Sequence, residues 1–166
     1  VHSGYGPKGG RMDKVRLGKS ELMVTQIGFG SIPIQRLGDE DAVEVVKRCM
    51  AHGINYIDTA NAYSTSERRI GDALRDFEGE VIISTKSQSR EPAGIREHLE
   101  NSLRMLRVKS IDLYQFHNVS TFPDLEKVLS PDGPFPAVEE AKRKGEVKHI
   151  GITSHQIDVA KEAVKT

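Results

Sequence analysis

The chain has 166 residues, of which 37% are hydrophobic and 29% are charged, and its formal net charge is +0. This length supports one domain with a substantial core and is short for two. The balanced charge gives no electrostatic case for a nucleic-acid or membrane-surface partner, and no apolar run approaches the roughly 20 residues that span a bilayer. The single cysteine, Cys49, excludes an internal disulfide framework and is typical of a reducing, cytoplasmic location.

The N-terminal segment, residues 1–13, is rich in glycine and has no hydrophobic periodicity. This composition predicts a disordered arm or an artificial remnant of expression. Residues 14–166 are predicted to form the folded unit. Its first feature is the stretch "VRLGKSELMV", whose two short alternating runs around Gly18-Lys19-Ser20 predict a β-hairpin.

After the hairpin, apolar runs alternate with amphipathic segments. Strands are predicted at residues 25–30, 54–58, 81–86, 111–117 and 147–152. Helices are predicted at residues 39–53, 64–77, 92–106, 133–145 and 155–166, and a further short helix is predicted on the surface within residues 118–134. Because parallel neighbours need a crossover of this length, the alternation predicts an α/β fold with a parallel sheet.

Two architectures fit five βα units. A doubly wound five-stranded sheet is complete at about this length, whereas a (β/α)₈ barrel needs roughly 250 residues. Length alone therefore favours the doubly wound sheet. However, the turn "GFGSIPIQRLGDED" is a weak dinucleotide-binding fingerprint, because Pro33 and a long loop separate its Gly-x-Gly from the next helix.

Four chemically complementary residues stand at the carboxyl ends of predicted strands. Asp58 and Lys86 end the second and third strands, His117 ends the fourth, and Tyr63 lies in the loop after Asp58. Each has an ordinary structural explanation when taken alone, such as an Asx-turn aspartate or a solvated lysine. In a parallel sheet, however, all four would meet at one rim, where the active sites of such folds lie.

Together these four residues could protonate a developing alkoxide. A lysine ammonium beside a phenol is expected to lower the phenol pKa, and an aspartate bound to the lysine would hold the ammonium in place. A histidine can orient a carbonyl oxygen toward the phenol. No residue of the chain can supply hydride, so this chemistry needs a cofactor.

The stretches "GINYIDTANAYSTSERRIGDAL", "STKS", "IDLYQFHNV" and "GEVKHIGITSH" together resemble the aldo-keto reductase family. The resemblance implies a TIM-type (β/α)₈ barrel with an N-terminal hairpin plug, of which this chain would hold about the first five βα units. The family's catalytic tetrad falls on Asp58, Tyr63, Lys86 and His117. The resemblance also implies reduction of an aldehyde or ketone to an alcohol, or the reverse, with Tyr63 as general acid/base.

The same resemblance implies a nicotinamide cofactor, NADP(H) in preference to NAD(H), and no metal. Gly30 and Ser31 would approach the cofactor, and Asp58 would lie beside it. Thr153 and Ser154 would hold the carboxamide, although Ser154 replaces the family's usual asparagine. The motifs "YQFHNVS" and "HIGITSH" are similar to those of the prokaryotic branch of the family, which is often fused to a ferredoxin-like iron–sulfur segment. The sequence carries no cysteine cluster.

The family's last three βα units, which carry most of its cofactor-binding surface, have no counterpart in this sequence. We therefore expect the N-terminal part of a reductase that self-associates or pairs with its missing C-terminal half, and that binds NADPH weakly when alone. The expected inward-facing apolar residues are Ile27, Phe29, Ile150 and Ile152. Two alternatives to a reductase of small-molecule carbonyls remain: a non-catalytic, cofactor-sensing or regulatory barrel module, and a flavodoxin-like domain.

Overall fold

A computed structural model describes residues 12–165 as an α/β structure. The strands are Lys14–Arg16 (β1), Met23–Thr25 (β2), Phe29–Gly30 (β3), Tyr56–Asp58 (β4), Ile82–Ser87 (β5), Ile111–Phe116 (β6) and Val147–Ile152 (β7). The α-helices are Asp39–Ala51 (α1), Ser66–Leu74 (α2), Pro92–Leu106 (α3), Phe122–Leu129 (α4), Phe135–Arg143 (α5) and Ile157–Ala163 (α6), and Ile32–Arg36 is a short 3₁₀ helix. The arm predicted for residues 1–13 lies, except for its last two residues, outside the described part of the chain.

Strands β3 to β7 form one parallel sheet, in the order in which they occur along the chain. The predicted α/β fold with a parallel sheet is therefore confirmed. A doubly wound sheet reverses its strand order at a switch point, and the sheet in the described part of the chain has no reversal. The doubly wound alternative is wrong for this chain, and the sequential order is that of consecutive units in a (β/α)₈ barrel.

The two faces of the sheet carry different residues, because successive side chains of a strand point to opposite sides. One face packs against the helices through a core that includes Ile57, Ile83 and Tyr114. The other face, called the site face below, carries Asp58, Ser84, Lys86 and Gln115, which are paired across adjacent strands or lie two residues apart.

The expectation that Phe29, Ile150 and Ile152 face inward is wrong. All three pack against the core between the sheet and the helices, since the residues of β7 that share the site face are His149 and Gly151. Ile27 precedes β3 and is 62% exposed.

The predicted hairpin is present, and it lies against the amino ends of two sheet strands. Strands β1 and β2 pair antiparallel, and Leu22 and Val24 of the hairpin pack against Ile82 at the start of β5. The Asn55 side chain accepts a hydrogen bond from Thr25 N (2.7 Å) and donates one to the Met23 carbonyl (2.9 Å). Thr25 therefore belongs to the hairpin, and the strand predicted at residues 25–30 is reduced to β3.

Within residues 12–165, β3 and β7 each pair with one sheet neighbour and are the edges of the sheet. Beside the β7 edge lies an open cavity of about 1080 Å³. Its lining is largely apolar and includes Phe116, Val128, Phe135, Ile150 and Ile152. No helix in the described residues has the length and apolar character needed to cross a membrane.

Candidate active site

The four residues singled out at strand ends lie at one rim of the sheet. Asp58 is the last residue of β4, Lys86 lies near the end of β5, and His117 follows β6 directly. Tyr63 lies in the loop between β4 and α2. Backbone bonds extend the strand pairing into these loops: Asn61 N donates to the Lys86 carbonyl (2.9 Å), and His117 N donates to the Ser87 carbonyl (2.8 Å).

Lys86 is the buried centre of this cluster, with 4% of its surface exposed. Its ammonium donates to Asp58 Oδ2 (2.5 Å) and to the Thr59 carbonyl (2.6 Å). A buried charge is stable only when it is paired and hydrogen-bonded. The two acceptors, which follow one another at the end of β4, therefore fix both the charge and the position of the ammonium.

The Tyr63 ring lies beside both Lys86 and His117. Lys86 Nζ lies over the ring, 5.3 Å from its centroid. The His117 ring meets the Tyr63 ring in an edge arrangement, with centroids 5.7 Å apart and an interplanar angle of 81°. The residue after Tyr63, Ser64, has a φ of 39°, so the loop turns sharply just after the phenol.

The expected lowering of the Tyr63 pKa is not what this structure gives. Burial raises the pKa of the Tyr63 phenol, and the Asp58 carboxylate raises it further. The Lys86 ammonium donates to Asp58 and to the Thr59 carbonyl and lies over the face of the Tyr63 ring. In this state Tyr63 is a neutral phenol that holds its proton.

His117 is held as a neutral imidazole. Burial lowers its pKa, and the charge of Lys86 acts in the same direction. Its carbonyl accepts a hydrogen bond from Arg90 Nη2 (2.8 Å), and Arg90 also binds Asp124. Its Nδ1 atom is buried and has no hydrogen-bond partner among the described residues. The backbone at His117 is therefore fixed by Arg90, which is itself held by Asp124.

Sequence reasoning missed two further residues on the site face, Ser84 and Gln115. Ser84 Oγ donates to Asp58 Oδ1 (3.0 Å), and Gln115 Nε2 donates to Ser84 Oγ (2.7 Å). Ser84 lies two positions before Lys86 in β5, and Gln115 is paired with Lys86 on the neighbouring strand β6, so both share the face of Lys86. The signal that could have found Ser84 is its position two residues before Lys86, which places both side chains on the same face of β5.

Thr59, whose carbonyl accepts a hydrogen bond from Lys86, belongs to a cluster of buried hydroxyl groups. Thr59 Oγ1 and Ser66 Oγ are 3.0 Å apart, and Ser66 Oγ donates to Ser31 Oγ (2.8 Å). All three residues are fully buried. The Ser31 hydroxyl is turned into this cluster, so an approach of Ser31 to a cofactor stays a prediction that concerns its backbone. Gly30 is exposed, and a Cβ added there would have no neighbour within 4 Å.

Thr153 and Ser154 follow β7 on the same rim and are partly exposed. Thr153 Oγ1 accepts a hydrogen bond from Asn118 N (2.8 Å). Ser154 Oγ bonds to the backbone N and O of Gln156, both at 3.1 Å. Both hydroxyls thus have local partners, and the Thr153 hydroxyl still has its own hydrogen to donate.

Glu67 is another buried group that the sequence reasoning missed. It lies in the first turn of α2, on the helix side of the sheet, and accepts a hydrogen bond from Thr85 Oγ1 (2.6 Å). Burial raises the pKa of the Glu67 carboxyl group. The contact connects the helix after the Tyr63 loop to the residue before Lys86.

Comparison with known proteins gives a consistent result. The model of the Aldo/keto reductase family matches residues 26–166. The uncharacterized oxidoreductase YqkF of Bacillus subtilis is 31% identical over 170 residues, which cover 93% of this chain and 53% of that protein. The holo form of aldo-keto reductase AKR11C1 from Bacillus halodurans superposes with a TM-score of 0.81 at 32% identity, covering 93% of this chain and 54% of that one.

An aldo-keto reductase from Klebsiella pneumoniae in complex with NADPH superposes with a TM-score of 0.77 over 93% of this chain and 54% of its own. At 24% identity this likeness concerns the fold alone. The chain spans about half the length of the relatives that it matches.

Proposed function

The chain belongs to the aldo/keto reductase family, and we propose that it is the N-terminal part of a nicotinamide-dependent reductase of aldehydes or ketones. The same site would catalyse alcohol oxidation in reverse. The observation that carries the proposal is the buried Lys86–Asp58 pair, with the Tyr63 ring over the ammonium and the His117 ring against Tyr63.

Tyr63 is the proposed general acid. Its raised pKa keeps the proton on the phenol at neutral pH, so the phenol can protonate a carbonyl oxygen as negative charge develops there. Once the proton has left, the Lys86 ammonium is the nearby positive charge that stabilises the phenolate. His117, neutral and beside Tyr63, would donate a hydrogen bond that orients the carbonyl oxygen.

The cofactor is proposed to be NADP(H), in preference to NAD(H), on the strength of the family. When bound, it supplies or receives the hydride. The exposed Gly30, with nothing in the described part of the chain within 4 Å of an added Cβ, leaves room for close approach. Asp58, Thr153 and Ser154 are proposed to flank the nicotinamide, whereas Ser31 would contribute only its backbone. No metal has a role in this proposal.

Residues 14–166 are proposed to be the N-terminal portion of a barrel. The hairpin contacts at Ile82 and Asn55 support a plug at the amino ends of the strands. Among residues 12–165 the outer edge of β7 has no strand partner, and this edge and the apolar cavity beside it support pairing with a C-terminal half or, failing that, self-association. The same proposal includes a cytoplasmic location, a small-molecule carbonyl substrate and weak binding of NADPH by the isolated chain.

The test compares Tyr63→Phe with Tyr114→Phe, in protein produced from its full native reading frame. Both changes remove one hydroxyl, but Tyr114 is buried on the helix side of the sheet. We expect Tyr63→Phe to lower the rate of carbonyl reduction at least about 100-fold while leaving NADPH binding nearly unchanged. Tyr114→Phe should retain the rate. A Tyr63→Phe rate within a few fold of wild type would contradict the assignment and favour the non-catalytic, cofactor-sensing alternative.

A further inference from the structure

We propose that Ser84 and Gln115 are positioning residues for this site, and that Gln115 sets the direction in which the Ser84 hydroxyl donates. The inference rests on the proposed function, since it concerns the aspartate that holds Lys86. These residues form a chain of two hydrogen bonds, called the relay below. Gln115 Nε2 donates to Ser84 Oγ (2.7 Å), and Ser84 Oγ donates to Asp58 Oδ1 (3.0 Å). The other carboxylate oxygen, Oδ2, accepts from Lys86.

The relay is built by strand register. Asp58 pairs with Ser84 across β4 and β5, and Lys86 pairs with Gln115 across β5 and β6. All four side chains therefore lie on the site face at neighbouring levels. Ser84 is fully buried and Gln115 is 9% exposed, so water competes little for these hydrogen bonds.

The chemistry of the groups fixes the direction of donation. An ionised carboxylate only accepts hydrogen bonds, and a serine hydroxyl has a single hydrogen to give. Ser84 gives that hydrogen to Asp58 as long as no other neighbour accepts it. The Gln115 amide NH₂ donates to Ser84 and so leaves this hydrogen for Asp58, whereas a group that only accepts would draw the Ser84 hydrogen away from Asp58.

Gly151 leaves the space that Gln115 needs. It pairs with Gln115 across β6 and β7. A Cβ at this position would lie 3.4 Å from Gln115 Cγ and 3.3 Å from Leu113 Cδ1. A side chain at residue 151 would therefore be tight against Leu113 and would touch the Gln115 methylene, and glycine avoids both contacts.

Three substitutions separate a directional relay from simple packing. Ser84→Ala removes the donor to Asp58, and Gln115→Glu turns the Ser84 hydrogen away from Asp58. Gln115→Leu removes the amide but leaves the Ser84 hydroxyl free to donate. The relay predicts that Gln115→Glu is more harmful than Gln115→Leu, and that this difference disappears when Ser84 is also changed to alanine, because no hydroxyl hydrogen is then left to turn. An effect of the added charge alone would persist without the Ser84 hydroxyl.

The kinetic test uses protein from the full native reading frame. For Ser84→Ala and Gln115→Glu we expect kcat to fall about tenfold, with the KM for NADPH unchanged within about twofold. Gln115→Leu should lower kcat by about threefold or less, and Ser84→Thr, which keeps a hydroxyl, should restore most of the Ser84→Ala loss. Ser102→Ala, a buried serine on α3, is the matched control and should behave as wild type.

A second readout does not depend on activity. The Gln115 side-chain amide protons should exchange slowly with water in the NMR spectrum of the wild type, and faster in Ser84→Ala but not in Ser102→Ala. An inactive wild type would refute the proposed function, while protected amide protons would still demonstrate the relay. Two results with an active wild type would overturn the relay alone. One is an equal kcat in Gln115→Glu and Gln115→Leu, and the other is an amide exchange rate that Ser84→Ala does not change.

Discussion

The ammonium of Lys86 is shared between the Asp58 carboxylate, 2.5 Å away, and the face of the Tyr63 ring, whose centroid is 5.3 Å away. One buried cation thus connects the end of β4 to the loop that carries the proposed acid. Removing it should affect both the stability of the rim and the chemistry proposed there.

Lys86→Met is expected to lower the free energy of unfolding by about 1–3 kcal/mol, because Asp58 and the Thr59 carbonyl lose their donor. The cost is kept below that of a fully buried pair, because 32% of the Asp58 side chain is exposed. The rate of carbonyl reduction should fall at least about 100-fold. Urea unfolding and steady-state rates measure the two effects.

Lys127→Met is the control for this change, since Lys127 pairs with Glu91 on the surface. It should change stability by less than about 0.5 kcal/mol. Equal effects of the two lysine substitutions would contradict the central position of Lys86.

The raised pKa of Tyr63 has a consequence for pH dependence. The pKa of such a phenol is higher in the folded state than in the unfolded state, where it is about 10. Its contribution to the free energy of unfolding is therefore fully present below about pH 10 and is lost as the pH rises through the folded-state pKa. The difference in ultraviolet absorbance between wild type and Tyr63→Phe should show a phenol titrating above about pH 10. A midpoint below that value would show that Lys86 dominates after all.

The lowered pKa of His117 predicts the opposite dependence. A histidine whose folded pKa is depressed contributes stability above its unfolded value, about 6.5, and loses it as pH falls toward the folded pKa. NMR titration of the His117 ring should therefore give a midpoint below about 6.5.

In Lys86→Met the His117 pKa should move upward, because the lysine charge is one cause of the depression. It should stay below the ordinary value, since burial is the larger cause. No change on removal of Lys86 would argue against the proximity of the two groups.

Gly71 is required for the close packing of α2 against α3. A Cβ at this position would lie 2.2 Å from the Met105 carbonyl oxygen, which is backbone and cannot move aside cheaply. Gly71→Ala should cost about 2–3 kcal/mol or more in unfolding free energy. Gly38→Ala is the control, because nothing lies within 4 Å of its added Cβ, and a comparable loss there would refute the steric explanation.

The sequence was sufficient to predict most elements and the meeting of four residues at one rim. The helix predicted at residues 92–106 is α3, since Pro92 and the apolar period define it locally. The faces of β7 could not be predicted in the same way. Alternation fixes which residues share a face but not which face is covered by helices, and Ile150 and Ile152 were assigned to the wrong side.

The finer chemistry of the rim depends on contacts between strands. The bond from Ser66 to the Ser31 hydroxyl, and the rise of the Tyr63 pKa through burial and Asp58, follow from distances of a few ångströms that no local pattern encodes. The relay from Gln115 to Asp58 was missed because it depends on the register of three strands.

Hydride transfer with Tyr63 as the acid is the central claim. Its most direct measurement uses NADPH carrying deuterium at nicotinamide C4, an aldehyde or ketone panel, and protein from the full native reading frame. We predict that deuterium appears on the carbinol carbon of the product alcohol with wild-type protein and with Tyr114→Phe, but at least about 100-fold more slowly with Tyr63→Phe. Absence of labelled alcohol with the wild type, or labelling by Tyr63→Phe at the wild-type rate, would contradict the claim.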